Sequence, residues 1–443
     1  MVHNVPLRLT VIGTGYLGAV HAACMADLGF EVIGVDRDQS RVEALARAEA
    51  PFFEPGLNDL LARTVASGRL RFTTSLEEAA AFGDVHFVCV GTPQLPGSHA
   101  ADLGQVNATI EALGPLLTRP CLVVGKSTVP VGTAVTIAER LRQLAPAGDG
   151  VDLAWNPEFL REGFAIQDTV HPDRLVIGVQ SQLAEATLRE VYATLLSNGV
   201  PMVVTDYATA ELVKVSANAF LATKISFINA MADVCEAAGA DVTVLARAIG
   251  YDERIGHRFL RAGLGFGGGC LPKDIRAFMA RADELGAGEA VAFLNEVDAI
   301  NLRRRARTVD MARELCGGSF EGVTAACLGA AFKPNSDDVR DSPALHVAAA
   351  LQEEGATVRV YDPEAMGPAA RQFPDLVYAE SVDQALAGAD VVLLLTEWDE
   401  FAQLTPERAG TLVEQRRIVD ARNVLNPVQW REAGFVFRAL GRP

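Results

Sequence analysis

The same succession of short apolar runs occurs twice, once near each end of the chain. Leu9–Ile12, Val32–Asp36, Val85–Val90 and Leu122–Val124 form the first set. Thr324–Leu328, Val358–Asp362, Asp390–Thr396 and Ile418–Asp420 form the second, and the second run of each set ends in aspartate. Runs that are apolar throughout suit strands covered on both faces, which is the environment of a parallel sheet. Parallel neighbours need crossover connections, and right-handed crossovers on both faces give a Rossmann-like sheet. Further strands are expected near Leu153–Ala154, Leu175–Ile177 and Met202–Val204.

Between the two sets the character of the chain changes. From Thr209 to about Gly239 it is rich in Ala, Leu, Val, Ile and Phe, without proline or an interior glycine. That composition predicts a long helix, apolar nearly all round and therefore buried. A second helix is expected over Glu289–Cys316, its acidic residues mostly early and its arginines late, as the helix dipole prefers. At 443 residues the chain exceeds what one hydrophobic core supports. The predicted fold class is α/β: two Rossmann-like doubly wound parallel-sheet domains joined by a long central helix. The first domain spans 1–205, a central helical dimerisation region with a cysteine loop spans 206–316, and the last domain spans 317–443.

A formal net charge of −17 argues against a surface for nucleic acid or an anionic membrane. An acidic chain can still hold a phosphorylated ligand at a local basic group or a helix N-terminus. Seven cysteines are scattered with no CxxC pair, which reads as reduced thiols in a reducing compartment. The opening MVHNVPLRLTVIG lacks the apolar core and cleavage site of a secretion signal, and no apolar run reaches membrane-spanning length. A soluble, cytoplasmic protein without a metal site is expected.

GTGYLG at 13–18 follows the first strand and opens a helical pattern. In this GxGxxG spacing Gly13 makes the tight turn, Gly15 lets a pyrophosphate approach the backbone, and Gly18 allows close helix–strand packing. Asp36 ends the second strand, where a carboxylate can bind a ribose 2′-hydroxyl; this favours NAD over NADP, since it would repel a 2′-phosphate. Arg37 and Arg41 soften that preference without reversing it.

Lys214 and Asn218 are four apart in the long helix and share a face, so both could donate to one developing oxyanion. The bland alternative is an i,i+3 bridge from Glu211 to Lys214. The most informative stretch is GLGFGGGCLPKD at 263–274. Five glycines in seven positions suit a backbone that approaches a ligand closely and exposes its N–H groups. Pro272 fits the first turn of a following helix, which sets Cys270 just before a helix N-terminus with Lys273 adjacent, a setting that favours the thiolate. Asp274 can orient a neighbouring group or a water. Cys24, Cys89, Cys121, Cys235, Cys316 and Cys327 sit in apolar patterns and read as buried structural thiols.

The chain resembles the UDP-glucose/GDP-mannose dehydrogenase family over nearly its whole length. The resemblance rests on GTGYLG at 13–18, EPGL at 54–57, KSTVPVG at 126–132, NPEFLREG at 156–163 and ELVKVSANAF at 211–220. It continues through RIG at 254–256, the cysteine loop, AFKPNSDD at 331–338, YDP at 361–363 and DARN at 420–423. It implies oxidation of the C6 primary alcohol of UDP-glucose to the carboxylate with two NAD in succession. Cys270 would form a thiohemiacetal and then a thioester that water hydrolyses. Lys214 and Asn218 would stabilise oxyanions, Asp274 and Thr128 would handle water and protons, and Glu162 would be the base for hydrolysis. Glu158 and Glu162 are read as one face of a helix start after Pro157. The resemblance places Gly13, Gly15, Tyr16, Leu17, Gly18, Asp36, Arg41, Thr92, Ser127, Thr128, Glu162 and Arg340 at NAD. It places Glu158, Phe159, Leu160, Glu162, Lys214, Asn218, Phe259, Leu260, Arg261, Gly267, Phe332, Lys333 and Arg422 at the nucleotide sugar, with Arg254 reaching a neighbouring subunit of a homodimer or larger assembly. The second half has Gly329-Ala330-Ala331-Phe332 in place of GxGxxG, which suits a domain holding UDP.

Three positions depart from the family pattern: Gly269 replaces a usual Ser, Leu271 an aromatic, and Ala421 a Gly. CLPKD at 270–274 also occurs in GDP-mannose dehydrogenases, so GDP-mannose and UDP-N-acetyl-hexosamines are alternative substrates. Two other readings remain: a two-electron dehydrogenase with a structural Cys270, and a non-catalytic NAD- or nucleotide-sensing subunit.

Overall fold

The computed structural model describes residues 7–443; the opening MVHNVP, part of the segment read as lacking a secretion signal, lies outside the described residues. The chain divides into two compact units. The first runs through Ala217 and includes Arg276–Gly286, and the second comprises Asn218–Ile275 and Ala287–Pro443.

The first unit is built on eight strands: β1 (Arg8–Ile12), β2 (Glu31–Val35), β3 (Leu70–Thr73), β4 (Val85–Val88), β5 (Cys121–Gly125), β6 (Val151–Trp155), β7 (Leu175–Val179) and β8 (Met202–Thr205). Their order is β3-β2-β1-β4-β5-β6-β7-β8. Successive side chains of a strand point to opposite faces. Val11 and Phe87 therefore pack into a core on one side of the sheet, and Ile12 and Val88 into a core on the other. Burial on both faces is why these runs are apolar throughout.

The second unit repeats the plan with β9 (Thr324–Leu328), β10 (Thr357–Tyr361), β11 (Val377–Tyr378), β12 (Val391–Leu394), β13 (Arg417–Asp420) and β14 (Val436–Ala439). Their order, β11-β10-β9-β12-β13-β14, is the first six strands of the other sheet over again. Both sheets reverse their winding beside the first strand, between β1 and β4 and between β9 and β12. Ligands of such folds bind outside the carboxyl ends of the strands at that point.

Four expectations need correction. The first sheet is not wholly parallel, because β7 pairs antiparallel to β6 through Ala154 with Val179 and Trp155 with Gly178. The segment joining them stays at the carboxyl end of β6, so β7 returns in the opposite sense. Secondly, the long helix, Tyr207–Ala238, is not buried all round: Phe220 is 67%, Phe227 50% and Val234 57% exposed. Residues seven apart fall on nearly one side of a helix, so the chain on its own leaves an apolar stripe uncovered. The helix expected over Glu289–Cys316 is two, Gly288–Val291 and Phe293–Leu315. Finally, Cys121 and Cys316 are half-buried, whereas Cys24, Cys89, Cys235 and Cys327 are buried. No helix among the described residues is long and apolar enough to cross a membrane.

Candidate active site

The turn after β1 is shaped by its glycines. Gly13 has φ +91°, a conformation that L side chains rarely adopt, and a Cβ there would meet the Val90 backbone nitrogen at 2.9 Å. A Cβ on Gly18 would lie 1.9 Å from the Gly13 carbonyl oxygen, so helix and turn touch there. Gly15 is different: a Cβ would meet nothing within 4 Å. The open side of the turn thus lies at Gly15, at the N-terminus of the helix Tyr16–Asp27, and helix N-termini of this kind favour anionic groups. Leu17 is half-buried in the first turn of that helix. Asp36, buried just past β2, accepts hydrogen bonds from the Thr14 backbone N–H at 2.9 Å and from Arg41 at 3.0 Å. The same carboxylate therefore braces the turn and is paired with Arg41.

The other predicted cofactor residues of this unit follow β4 and β5. The Thr92 hydroxyl donates to the Thr128 carbonyl at 2.7 Å, and the Ser127 hydroxyl to the Val90 carbonyl at 2.6 Å. Two residues with no role assigned from sequence stand here. Lys126, buried, donates to Asn156 Oδ1 at 2.9 Å, and Tyr192 donates to the same oxygen at 2.6 Å. Burial pulls the Lys126 ammonium down to about 8. Glu54, also buried, accepts from the Tyr16 hydroxyl and from the Gly163 and Ala165 N–H groups. Its only sequence signal was its place in EPGL.

Glu158 and Glu162 do not share a helical face. Residues 156–163 are a loop, and the next helix, Ala165–Val170, begins after Gly163 at φ +78°. Pro157 holds its predecessor away from the helical region, and Glu158 caps its own loop through the Leu160 N–H at 2.6 Å. The other Glu158 oxygen lies 2.9 Å from Lys214 Nζ, supplying the counter-charge that a buried ammonium needs. Glu211 does not bridge to Lys214. It accepts from the Gly132 and Ala134 N–H groups at 2.7 and 2.6 Å, capping the helix Thr133–Leu144. Phe159 lies under the Arg174 guanidinium, 3.9 Å from ring centroid to carbon, with Leu160 beside it half-buried.

In the second unit the helix Leu271–Glu284 begins directly after Cys270, with Pro272 in its first turn, as the sequence suggested. Cys270 is exposed, and its carbonyl accepts the first helical hydrogen bond, from Asp274 N–H at 2.8 Å. Asp274 is 1% exposed; one oxygen accepts from Asn218 Nδ2 at 2.7 Å and the other from Lys273 Nζ at 2.6 Å. Burial pushes Cys24, Cys89 and Cys327 up to about 12, so those thiols stay protonated at neutral pH.

The glycines before Cys270 meet a steric demand within their own unit. A Cβ on Gly263 would meet the Ala421 carbonyl at 2.7 Å, on Gly265 the Asn301 side chain at 2.3 Å, and on Gly267 the Asp341 carbonyl at 2.3 Å. Gly268 lies against the Phe332 ring and Gly269 under the Arg340 guanidinium. Three of the loop's N–H groups are engaged internally, Gly263 by Asn229, Phe266 by Asn301 and Gly268 by the Arg340 carbonyl. Glycine is needed here because the loop is pressed against its own unit. A side chain at 269 would meet only the guanidinium end of the largely exposed Arg340, which can swing aside, so nothing in the structure explains that departure from the family pattern.

Arg422 is buried, and its guanidinium donates to the carbonyls of Leu395 at 2.7 Å, Gly265 at 3.0 Å and Phe332 at 3.3 Å. It therefore ties the cysteine loop to the carboxyl ends of β9 and β12. Lys333 Nζ stands 5.4 Å from the centroid of the Phe332 ring. Asp362 mirrors Asp36, accepting from the Ala330 and Ala331 N–H groups at 2.8 and 3.0 Å. Phe259 has φ +64°, an outlier for an aromatic residue, and leads into buried Leu260 and exposed Arg261. Arg254 is largely exposed and paired with Asp252 at 2.6 Å. Among the described residues, no group of three or more His, Cys, Asp or Glu side chains could hold a metal ion.

Comparison with known proteins agrees with this geometry. The chain matches the NAD binding domain of the UDP-glucose/GDP-mannose dehydrogenase family over residues 7–196, the family's central domain over 208–303 and its UDP binding domain over 326–427. It is 43% identical to the UDP-glucose 6-dehydrogenase of Rhizobium meliloti (strain 1021), covering 99% of this chain and 100% of that protein. It is 42% identical to a Pseudomonas aeruginosa UDP-glucose 6-dehydrogenase, over 99% and 98% of the two chains. Among solved structures, a UDP-glucose dehydrogenase from Pyrobaculum islandicum superimposes with a TM-score of 0.91 at 38% identity, covering 100% of this chain and 99% of that one.

Proposed function

Because the chain belongs to the UDP-glucose/GDP-mannose dehydrogenase family and is an NAD-dependent oxidoreductase, we propose that it oxidises the C6 primary alcohol of UDP-glucose to a carboxylate. Each sugar would consume two NAD and yield UDP-glucuronate. The observation that carries this reading is the setting of Cys270: exposed, at a helix N-terminus, with Asp274 in the following turn holding Asn218. The partial positive charge at a helix N-terminus favours a thiolate.

NAD supplies the hydride acceptor for each of the two oxidations. The rest is work for the chain's own residues. Once the alcohol has become an aldehyde, the Cys270 thiolate adds to its carbon, and the resulting oxyanion takes a proton to give a thiohemiacetal. Loss of hydride and of that proton leaves a thioester on Cys270. Glu162 draws a proton from water as the water adds to the thioester carbon; the C–S bond then breaks and sulfur departs as thiolate. Lys214 and Asn218 donate to the oxygen that bears charge in these steps, Asp274 keeps the Asn218 amide aimed, and Thr128 assists proton transfer. An aldehyde lacks the tetrahedral carbon from which a second hydride can leave, which is why a covalent nucleophile is needed.

Glu158, Phe159 and Leu160 from the loop after β6 are assigned to the sugar, together with Phe259, Leu260, Arg261 and Gly267. Lys333, Phe332 and Arg422 are assigned to the UDP end, with Arg422 acting through the loop it ties. Thr92, Ser127, Arg41 and Arg340 complete the assignment at NAD, and Arg254 is assigned to the site of a second copy. The uncovered stripe Phe220, Phe227 and Val234 supports a homodimer through the long helix. A three-part organisation at 1–205, 206–316 and 317–443, and a cytoplasmic location for a thiol-dependent enzyme, belong to the same proposal.

Turnover with UDP-glucose, GDP-mannose and UDP-N-acetylmannosamine in parallel tests the reading. Two NADH per UDP-glucose and a preference of about tenfold or more for that sugar are expected. One NADH per sugar, or a preference for GDP-mannose, would overturn it.

A further inference from the structure

We propose that Glu54 is a positioning residue that couples occupancy of the dinucleotide turn to the placement of the Glu162 loop. This deepens the function proposed above and rests on its assignment of NAD to the turn and of Glu162 to hydrolysis.

Glu54 is 6% exposed and bonded at both ends. Its Oε2 accepts from the Tyr16 hydroxyl and, at 2.7 Å, from the Gly163 N–H; its Oε1 accepts from the Ala165 N–H at 2.8 Å. The Gly163 N–H is shared with the Tyr16 oxygen at 2.9 Å, so the three groups close a ring. Tyr16 is the first residue of the helix that opens at Gly15, and Gly163 directly follows Glu162. A single buried carboxylate thus joins the helix end that faces a pyrophosphate to the end of the catalytic loop. Burial and the adjacent carboxylate push the Tyr16 phenol well above its ordinary value, so it is a standing donor.

Such a ring has a consequence. A ligand that orders the N-terminus of the Tyr16 helix also restrains the Tyr16 ring, and through Glu54 it restrains the Gly163 and Ala165 amides. The coupling is energetic and reciprocal. Binding NAD would then fix Glu162 before water must be activated. The loop 156–163 has no regular structure of its own to hold it.

Hydrogen exchange at the 162–166 amides, with and without saturating NAD, tests the coupling in the wild type and in Tyr16→Phe. The phenylalanine variant keeps the ring and removes only the hydroxyl. NAD is expected to slow these amides about fivefold or more in the wild type, and by less than half that factor in the variant. Protection of the 13–18 turn should be retained in both. Equal slowing in both proteins, or none in the wild type, would overturn the proposal. Glu54→Gln, which places an amide N–H against the donors, should abolish the NAD-dependent slowing; persistence of the wild-type effect there would also overturn it. A Glu162→Gln arm reads the chemistry separately. Unimpaired thioester hydrolysis in that variant would remove Glu162 from its assigned role while leaving the exchange result to judge the coupling.

Discussion

Asp274 holds Asn218 by a 2.7 Å hydrogen bond from the amide nitrogen to a carboxylate oxygen, both groups being buried. The bond fixes which way the amide faces, since only its NH2 end can donate to a carboxylate. A donor aimed in advance costs no reorganisation when charge develops. The Asn218 side chain carries a second N–H, which the proposed oxyanion role would use.

Asn218→Ala is expected to lower kcat roughly 10²–10³-fold with a smaller change in KM for the sugar nucleotide. Asp274→Asn sets amide against amide and should cost a similar factor. The double variant should lose little more than either single one, because both act on the same donor. Steady-state kinetics on the three proteins check this, and additive losses would separate the two residues.

Gly15 and Gly18 should respond oppositely to the same methyl group. Gly15→Ala meets open space and has ordinary backbone angles, so melting should stay within about 2 °C while NAD affinity falls about tenfold, ~1.4 kcal/mol. Gly18→Ala drives a carbon to 1.9 Å from the Gly13 carbonyl and should destabilise the fold by about 1–3 kcal/mol. Thermal melts beside NAD titrations distinguish them.

Lys126 should contribute a stabilising increment in mild alkali, opposing the loss from the buried thiols whose folded-state pKa is raised. Its ammonium titrates near 8 in the fold and near 10.4 when unfolded. Between those values the unfolded chain holds a proton that the folded chain has released, so this group makes unfolding harder as pH rises through that window. The span is about 3 kcal/mol. Denaturant unfolding from pH 8 to 10 reads this as a difference between two proteins. The buried thiols, held protonated up to about 12, lower the stability of both over this range, and the wild type should lose less than Lys126→Met; equal losses would contradict the assignment.

The parts of the molecule that were legible in the sequence are those where one physical demand fixes the residue type. Central strands such as β1, β4 and β12 are covered on both faces and had to be apolar throughout. Edge strands such as β3, Leu-Arg-Phe-Thr, and β14, Val-Phe-Arg-Ala, are part exposed, carry charges and gave no such signal. The cysteine helix was readable because Pro272 can stand only in a first turn. The glycines before it announced a close approach but not its partner, and the partner is the protein itself. Glu158 and Glu162 had helical spacing without a helix, because spacing alone says nothing of the Pro157 and Gly163 that flank the pair and bound a loop. Glu54 was invisible as an actor, since its three partners come from segments far apart in the chain.

The account turns on a covalent bond to Cys270. Glu162→Gln and wild-type enzyme, quenched in acid during turnover with UDP-glucose and NAD, can be digested and the peptide carrying Cys270 weighed. The account predicts a UDP-glucuronyl mass on that cysteine, more of it in the slower-hydrolysing variant, and loss of acid formation by roughly 10³-fold or more in Cys270→Ala. Acid product accumulating with two NADH per sugar, and no mass added at Cys270 in either protein, would contradict it.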